Sequence, residues 1–234
     1  MKTIWRREWR AYFLTPVGYV FIGVFLAVSS VLFFLEILAP RSGDLPTFYG
    51  SMSYLWMLLS PILTMRLLAE ERQKRTDQLL LTSPVSLPAI VLGKYLAAVS
   101  VLLLTASLTL VYVLVVAMYG TVYPAELAVN LLGFVLQGCA FAAMDLFLSG
   151  CASTPVIAAV LSFGANFLLW MLDLLENAVG AEWVARILRF LSLYRRNETF
   201  LMGQLSFAGI LYEVSFAGCF LALTIYLLHR RRIA

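Results

Sequence analysis

The side chains that most often catalyse reactions or bind metals are few in this sequence and are not arranged for catalysis. The only histidine, His229, lies in a basic tail, which excludes a His-built metal site and a serine hydrolase triad within one chain. Gly93-Lys94 lacks the upstream glycine of a phosphate-binding P-loop. Asp145 is the only aspartate clearly inside an apolar run, whereas an intramembrane aspartyl protease needs two. The sequence therefore predicts a protein that is not an enzyme and holds no metal or cofactor of its own.

Four polar side chains, Glu36, Asp145, Asn166 and Glu213, stand within or near the ends of long apolar runs. Such residues are costly in hydrocarbon and are candidates for a transport pathway by default. The alternative is structural: Asp145 and Glu213 lie about one turn from a membrane surface, Asn166 bonds a neighbouring helix, and Glu36 reaches water. No run carries the ladder of charges that a proton pump or a voltage sensor requires.

The most charge-dense stretch, residues 70–94, separates two apolar runs. Residues 70–78 are charged and free of proline, which predicts that they continue the preceding helix. Three leucines follow, and then Pro84 and Pro88 break the helix. An exposed leucine trio between charges indicates a surface that binds a groove on a partner protein. The alternative is that these leucines rest on the bilayer.

The composition indicates that the chain lies in a membrane. Hydrophobic residues make up 62% of the 234-residue chain and charged residues 13%, values outside the range of soluble domains. The apolar runs do not alternate as the strands of a membrane β-barrel do. We therefore predict an all-α polytopic membrane protein with six transmembrane helices, at residues 17–39, 51–69, 88–118, 127–150, 156–172 and 209–228.

Two further elements are predicted to lie along the membrane surface. Residues 1–15 place Trp5 and Trp9 on an apolar face and Arg6 and Arg10 elsewhere, the pattern of an interfacial amphipathic helix. The alternative is a charged flank of the first span. Residues 174–207 mix aromatic and aliphatic side chains with arginines, which predicts a re-entrant or interfacial element before the last span.

An even number of spans places both termini and segment 70–94 on one side of the membrane. Most lysines and arginines near span ends lie on that side, so the positive-inside rule makes both termini cytoplasmic. Because the basic residues cluster at span ends, they indicate topology determinants rather than a nucleic-acid surface. We expect membrane lipid, and no nucleic acid, among the partners.

The segment between the second and third spans resembles that of ABC-2-type transporter permeases. The resemblance is carried by Ala69-Glu70-Glu71-Arg72 and Thr76, by Leu79-Leu80-Leu81-Thr82-Ser83-Pro84-Val85-Ser86, and by Ile90-Val91-Leu92-Gly93-Lys94-Tyr95-Leu96-Ala97-Ala98. Arg7-Glu8, Gly18-Tyr19-Val20 and Pro61-Ile62-Leu63-Thr64-Met65-Arg66 are similar to the gliding-motility-type branch. Arg75, Asp77 and Gln78 depart from the family, which commonly has glycine, an apolar residue and glutamate there.

This resemblance implies one membrane domain over residues 1–234. Residues 1–15 would be an elbow helix, 70–87 a cytoplasmic coupling segment that seats in an ATPase, and 174–207 an outer re-entrant or amphipathic element. The coupling residues would be Glu70, Glu71, Arg72, Thr76, Gln78, Leu79, Leu80, Leu81, Ser83 and Pro84. Trp5, Arg6, Trp9 and Arg10 would form the elbow.

The resemblance also implies a function and partners. The chain would be the permease of an ATP-driven exporter in the bacterial inner (cytoplasmic) membrane. It would work with two cytoplasmic ABC ATPase subunits, which hold ATP and Mg²⁺, and with a second permease copy or homologue. An extracytoplasmic auxiliary subunit is compatible with this arrangement. The alternative function is a non-transporting scaffold or assembly subunit that anchors a cytoplasmic partner.

Overall fold

The computed structural model describes residues 1–76, 85–176 and 192–233. Within these ranges the chain is helical and contains no strand. The helices are α1 (Lys2–Leu14), α2 (Pro16–Phe33, extended by a π-helical turn at Phe34–Leu38), α3 (Leu45–Thr64), α4 (Arg66–Gln73), α5 (Leu87–Tyr119), α6 (Pro124–Cys151), α7 (Pro155–Glu176), α8 (Leu193–Leu201) and α9 (Phe207–Ile233).

Six segments are long and apolar enough to cross a membrane, which confirms the predicted number of spans. They are Pro16–Leu38, Leu45–Gln73, Leu87–Tyr119, Pro124–Cys151, Pro155–Leu172 and Phe207–Arg232. The second span begins at Leu45, earlier than the predicted residue 51. Asp44 explains the difference, because its carboxylate accepts hydrogen bonds from the backbone N–H and the hydroxyl of Thr47 and so caps the helix.

The fourth span, α6, is central to the bundle and packs against α3, α4, α5, α7, α8 and α9. An aromatic cluster fills its contact with the first two spans. The centroid of the Trp56 ring lies 4.8 Å from the centroid of Phe25 and 4.9 Å from that of Phe134. The Trp56 indole N–H donates to the Phe134 carbonyl at 3.2 Å. Since lipid gives no hydrophobic drive between helices, such close packing has to stabilise the bundle.

The N-terminal helix α1 packs against α5 and α2. Its two tryptophans face inward, where the Trp5 indole N–H donates to Ser100 Oγ at 2.9 Å, whereas Arg6 and Arg10 are exposed. Tyr12 is buried, and its hydroxyl donates to the Leu63 carbonyl at 2.8 Å. Burial raises the pKa of Tyr12, so this donor keeps its proton. The predicted helix is present, and its position at a membrane surface stays a prediction.

The element predicted over residues 174–207 lies partly outside the described residues, which exclude 177–191. Its later part contains α8, whose Ser192 side chain accepts from the Arg195 backbone N–H and caps the helix. Asn197 of α8 donates to Gln137 Oε1 at 2.5 Å and to Ser53 Oγ at 3.2 Å. α8 is therefore joined to the second and fourth spans by buried polar contacts.

Candidate functional site

The end of the second span carries a run of charges arranged by helical spacing. Arg66 and Glu70 are one turn apart and form a bidentate salt bridge, with Nε–Oε2 at 2.6 Å and Nη2–Oε1 at 3.2 Å. Lys74, one turn further, donates to Glu70 Oε1 at 2.7 Å. Arg66 also donates to Thr15 Oγ1 at 3.1 Å. These partly exposed pairs order α4 and add about 0.2–0.5 kcal/mol each to helix stability.

Lys94 lies at the start of the third span and is only 1% exposed. Its ammonium donates to Glu71 Oε1 at 2.8 Å, to Glu8 Oε1 at 3.2 Å and to the Leu67 carbonyl at 2.6 Å. An ammonium has three donors, so these contacts satisfy it fully. One buried cation thus joins α1, α4 and α5.

Arg7 completes this cluster at the protein surface. Its Nη2 donates to Glu8 Oε1 at 2.7 Å and to Glu71 Oε1 at 3.1 Å. The hydrogen bond to Glu8 raises the pKa of Arg7, so the guanidinium stays protonated. We call Arg7, Glu8, Glu71 and Lys94 the charged junction. It pairs two cations with two carboxylates, which offsets the cost of burying Lys94.

Two arginines connect the same region to the end of the fourth span. Arg72 Nη1 donates to the carbonyls of Cys151 and Ala152 at 3.1 and 3.0 Å, and Arg231 Nη2 donates to the Gly150 carbonyl at 2.7 Å. The last carbonyls of a helix lack partners within it and carry partial negative charge, so cations are favoured there. The second, fourth and sixth spans are therefore connected at one end of the bundle.

Arg75 ends α4 in a left-handed conformation, with a φ of 55°. The backbone N–H groups of Arg75 and Thr76 donate to the carbonyls of Arg72 and Glu71, the paired bonds of a Schellman motif. The helix therefore ends at Gln73, and the prediction that it continues to residue 78 is wrong. The charged, proline-free run favoured a longer helix, whereas the left-handed backbone at Arg75 ends the helix early.

This conformation gives a prediction for Arg75→Gly. Left-handed backbone costs about 1–2 kcal/mol for a residue with a Cβ, while glycine adds about 0.5–1 kcal/mol of entropy cost. We expect Arg75→Gly to leave the free energy of unfolding unchanged or raise it by up to about 1 kcal/mol in a detergent titration. Lys74→Gly is the control and should destabilise, because Lys74 has a φ of −82°. A clear loss of stability for Arg75→Gly would contradict the prediction.

The predicted coupling residues fall into two groups. Glu70, Glu71 and Arg72 make the contacts given above, and the exposed Thr76 donates from its hydroxyl to the Glu71 carbonyl at 3.2 Å. The remaining predicted residues, Gln78, Leu79, Leu80, Leu81, Ser83 and Pro84, lie outside the described residues.

The sequence pattern did not predict four residues of this site, namely Arg7, Glu8, Lys94 and Arg231. A lysine inside the apolar start of the third span was the available signal, because such a cation needs a buried partner.

Two of the predicted intramembrane polar residues meet. Ser60 Oγ donates to Asp145 Oδ2 at 2.5 Å, and Asn166 Nδ2 donates to the same oxygen at 3.5 Å and to the Met57 carbonyl at 3.2 Å. Asp145 and Asn166 are both fully buried, and with Ser60 they join α3, α6 and α7. Asn166 therefore makes the contact across helices that the structural alternative expects.

The other two lie apart from this cluster. Glu36 accepts from Ser51 Oγ at 2.6 Å near the end of the first span. Glu213 is 2% exposed, and its carboxylate has no hydrogen bond within the part of the chain that the structure describes. Among the described residues, Asp145 and Asn166 are the only pair of the four joined by a hydrogen bond. A role of these four residues in a transport pathway stays a prediction.

The comparisons with known proteins agree with this architecture. A model of the ABC-2 family transporter protein matches residues 19–227, a range that reaches into all six spans and includes segment 70–94. No curated protein matches the chain. Nothing in the match selects the gliding-motility-type branch, which stays a prediction. The chain belongs to the ABC-2 transporter family, as a multi-pass membrane subunit of the transport permease type, a class that works with ABC ATPase subunits.

Proposed function

We propose that the chain is the permease of an ATP-driven exporter in which residues 70–87 transmit movement from ATPase subunits to the second and third spans. The charged junction carries this proposal. It joins Glu71, at the start of the segment, to Lys94, about two helical turns into the third span, at 2.8 Å. A force applied to the segment would therefore reach both spans together, since the two ends cannot separate without breaking a buried ion pair.

The same contacts extend the coupling to neighbouring elements. Glu8 links Lys94 to α1, so the N-terminal helix would move with the segment as an elbow. Arg72 links the segment to the end of α6, the central span. Coupling between distant sites travels through contiguous contacts of this kind when they have two arrangements. ATP-driven closure of the ATPase pair would supply the second arrangement.

The partners and location follow from the family and from charge placement. Two ABC ATPase subunits would bind ATP and Mg²⁺ beneath a pair of permeases, the second being another copy or a homologue. The excess of basic residues at the end of the bundle that holds the termini supports a cytoplasmic position for both termini in a bacterial inner membrane. The apolar spans favour a lipid-like or amphiphilic cargo over a strongly charged solute.

The leucine trio at residues 79–81 gives a sharp test of this proposal. A charge at Leu80 would be desolvated in the groove of an ATPase, so we expect Leu80→Asp to abolish ATPase binding and ATP-driven turnover while the permease stays folded. Thr121→Asp is the matched control, because it adds the same charge to an exposed position between the third and fourth spans, at the opposite end of the bundle.

The measurements are the ATPase content of the purified complex and ATP hydrolysis in reconstituted vesicles. Retention of both by Leu80→Asp would show that the leucine trio is not the docking surface. An ATPase that binds but never hydrolyses ATP in response to cargo would instead favour the scaffold function.

A further inference from the structure

A second arginine adopts a left-handed backbone conformation at the other end of the bundle from Arg75. Arg41 has a φ of 53° and follows the first span. Its backbone N–H donates to the Leu38 carbonyl, and the next N–H donates from Ser42 to the Ile37 carbonyl. These bonds again form a Schellman motif, which closes α8 as well, with Gly203 in the left-handed position there. Glycine is the usual residue at this point of the motif.

An arginine in this left-handed conformation adds backbone strain that glycine would avoid. We therefore expect the Arg41 side chain to make an interaction that offsets this cost. Within the described parts of the chain, no salt bridge or side-chain hydrogen bond involves the Arg41 guanidinium, and the residue is exposed. Beside the end of the first span, the structure thus places an exposed cation that is unpaired among residues 1–76, 85–176 and 192–233.

An open groove of about 530 Å³ lies directly beside Arg41. The groove is lined by Phe33 and Ile37 from the first span and by Val116 and Tyr119 from the third span, with the exposed Arg41 at its edge. This volume falls within the range of small-molecule sites, about 300–1,000 Å³. The π-helical turn Phe34–Leu38 forms part of the same wall, and such turns are frequent at functional sites.

The surroundings of the groove match a lipid head-group region. Tyr119, the last residue of the third span, is 86% exposed, and Tyr123, just before the fourth span, is 69% exposed. Exposed tyrosines at span ends form the aromatic belt at the level of the head groups. An apolar groove that opens beside such a belt, with a cation at its rim, is complementary to an amphiphile with an anionic head.

We propose that this groove binds a glycerophospholipid of the leaflet opposite the termini. One acyl chain lies between the first and third spans, and the phosphate contacts the guanidinium of Arg41. The phosphate provides a charge-assisted partner that the described residues do not, and guanidinium groups suit phosphate oxygens well. This site is independent of the coupling segment and of ATP-driven transport, so it can be tested on the permease alone.

The experiment is native mass spectrometry of the full-length chain in detergent with three probes: dioleoyl phosphatidylglycerol, dioleoylglycerol, and inorganic phosphate. We expect Arg41→Gln to weaken phosphatidylglycerol binding about tenfold and to leave dioleoylglycerol binding unchanged, since only the phosphate loses a charge-assisted hydrogen bond. Arg41→Lys should keep most of the affinity. Val116→Trp fills the groove and should weaken both lipids.

Arg10→Gln is the control, because it removes an exposed arginine at the opposite end of the bundle and should change nothing. Phosphatidylglycerol binding that is equal in the original chain, Arg41→Gln and Val116→Trp would overturn the proposal. Inorganic phosphate that binds as tightly as the phospholipid would overturn it as well, because the groove would then contribute nothing. If Val116→Trp does not fold, the comparison of Arg41→Gln with Arg41→Lys decides the outcome.

Discussion

Replacing Lys94 with methionine is expected to lower the free energy of unfolding by about 3–5 kcal/mol, the usual cost of removing one partner from a buried ion pair. Methionine keeps the length and apolar stem of lysine but leaves Glu8 and Glu71 facing each other and removes the ammonium's hydrogen bond to the Leu67 carbonyl. Arg7 still contacts both carboxylates, but its side chain is 57% exposed and its charge is screened by water. An SDS unfolding titration of the purified chain measures the loss.

Lys74→Met is the matched control for this experiment. Lys74 also pairs with a glutamate at 2.7 Å, but its side chain is 66% exposed, so the change should cost less than about 1 kcal/mol. Neutralising one carboxylate, by Glu8→Gln in the Lys94→Met background, should recover part of the lost stability. Equal losses for Lys94→Met and Lys74→Met would contradict the buried junction.

The second large effect is expected at Gly18, where the chain turns from α1 into the first span. A Cβ at this position would lie 2.7 Å from the carbonyl oxygen of Tyr12 and 3.2 Å from its carbonyl carbon. Because these are backbone atoms, no side-chain rotation relieves the clash. Gly18→Val should therefore displace α1 and destabilise the protein by about 1–3 kcal/mol, a typical cost of overpacking. Faster hydrogen exchange in α1 would report the displacement.

Gly23→Val provides the comparison within the same helix. A Cβ at Gly23 has no heavy atom within 4 Å, so the substitution should change stability by less than about 0.5 kcal/mol. Both variants replace a helical glycine with the same residue, which removes differences in helix propensity from the comparison. If Gly18→Val and Gly23→Val have the same free energy of unfolding and the same hydrogen-exchange rates in α1, the close approach of α1 to the first span does not stabilise the protein.

The six spans could be predicted because a bilayer imposes a long apolar run on every helix that crosses it. The ends of the spans were less predictable, since they depend on single capping contacts. Asp44 moves the start of the second span, and Arg75 ends α4 in a conformation that spacing alone does not reveal. The amphipathic pattern of α1 was clear for a different reason: its tryptophans and arginines separate onto different faces.

The charged junction could not be read from local spacing, because its members come from three separate helices. Glu8 and Lys94 are 86 positions apart in the chain, and Arg7 and Glu71 are 64 positions apart. The sequence showed that Lys94 and its flanking motif resemble a family segment, but not which carboxylates would neutralise the lysine. That pairing depends on how α1, α4 and α5 pack, which is a tertiary property.

We propose that residues 70–87 seat the permease on ABC ATPase subunits. To test this, the complex is purified through this chain from cells that also produce its ABC ATPase partner, and its ATPase content is measured. We expect equal numbers of permease and ATPase chains in the original complex and a complete loss of the ATPase in Leu80→Asp, with the permease still folded. A stable permease that purifies without any ATPase, under conditions where that ATPase is expressed and soluble, would show that residues 70–87 do not bind it.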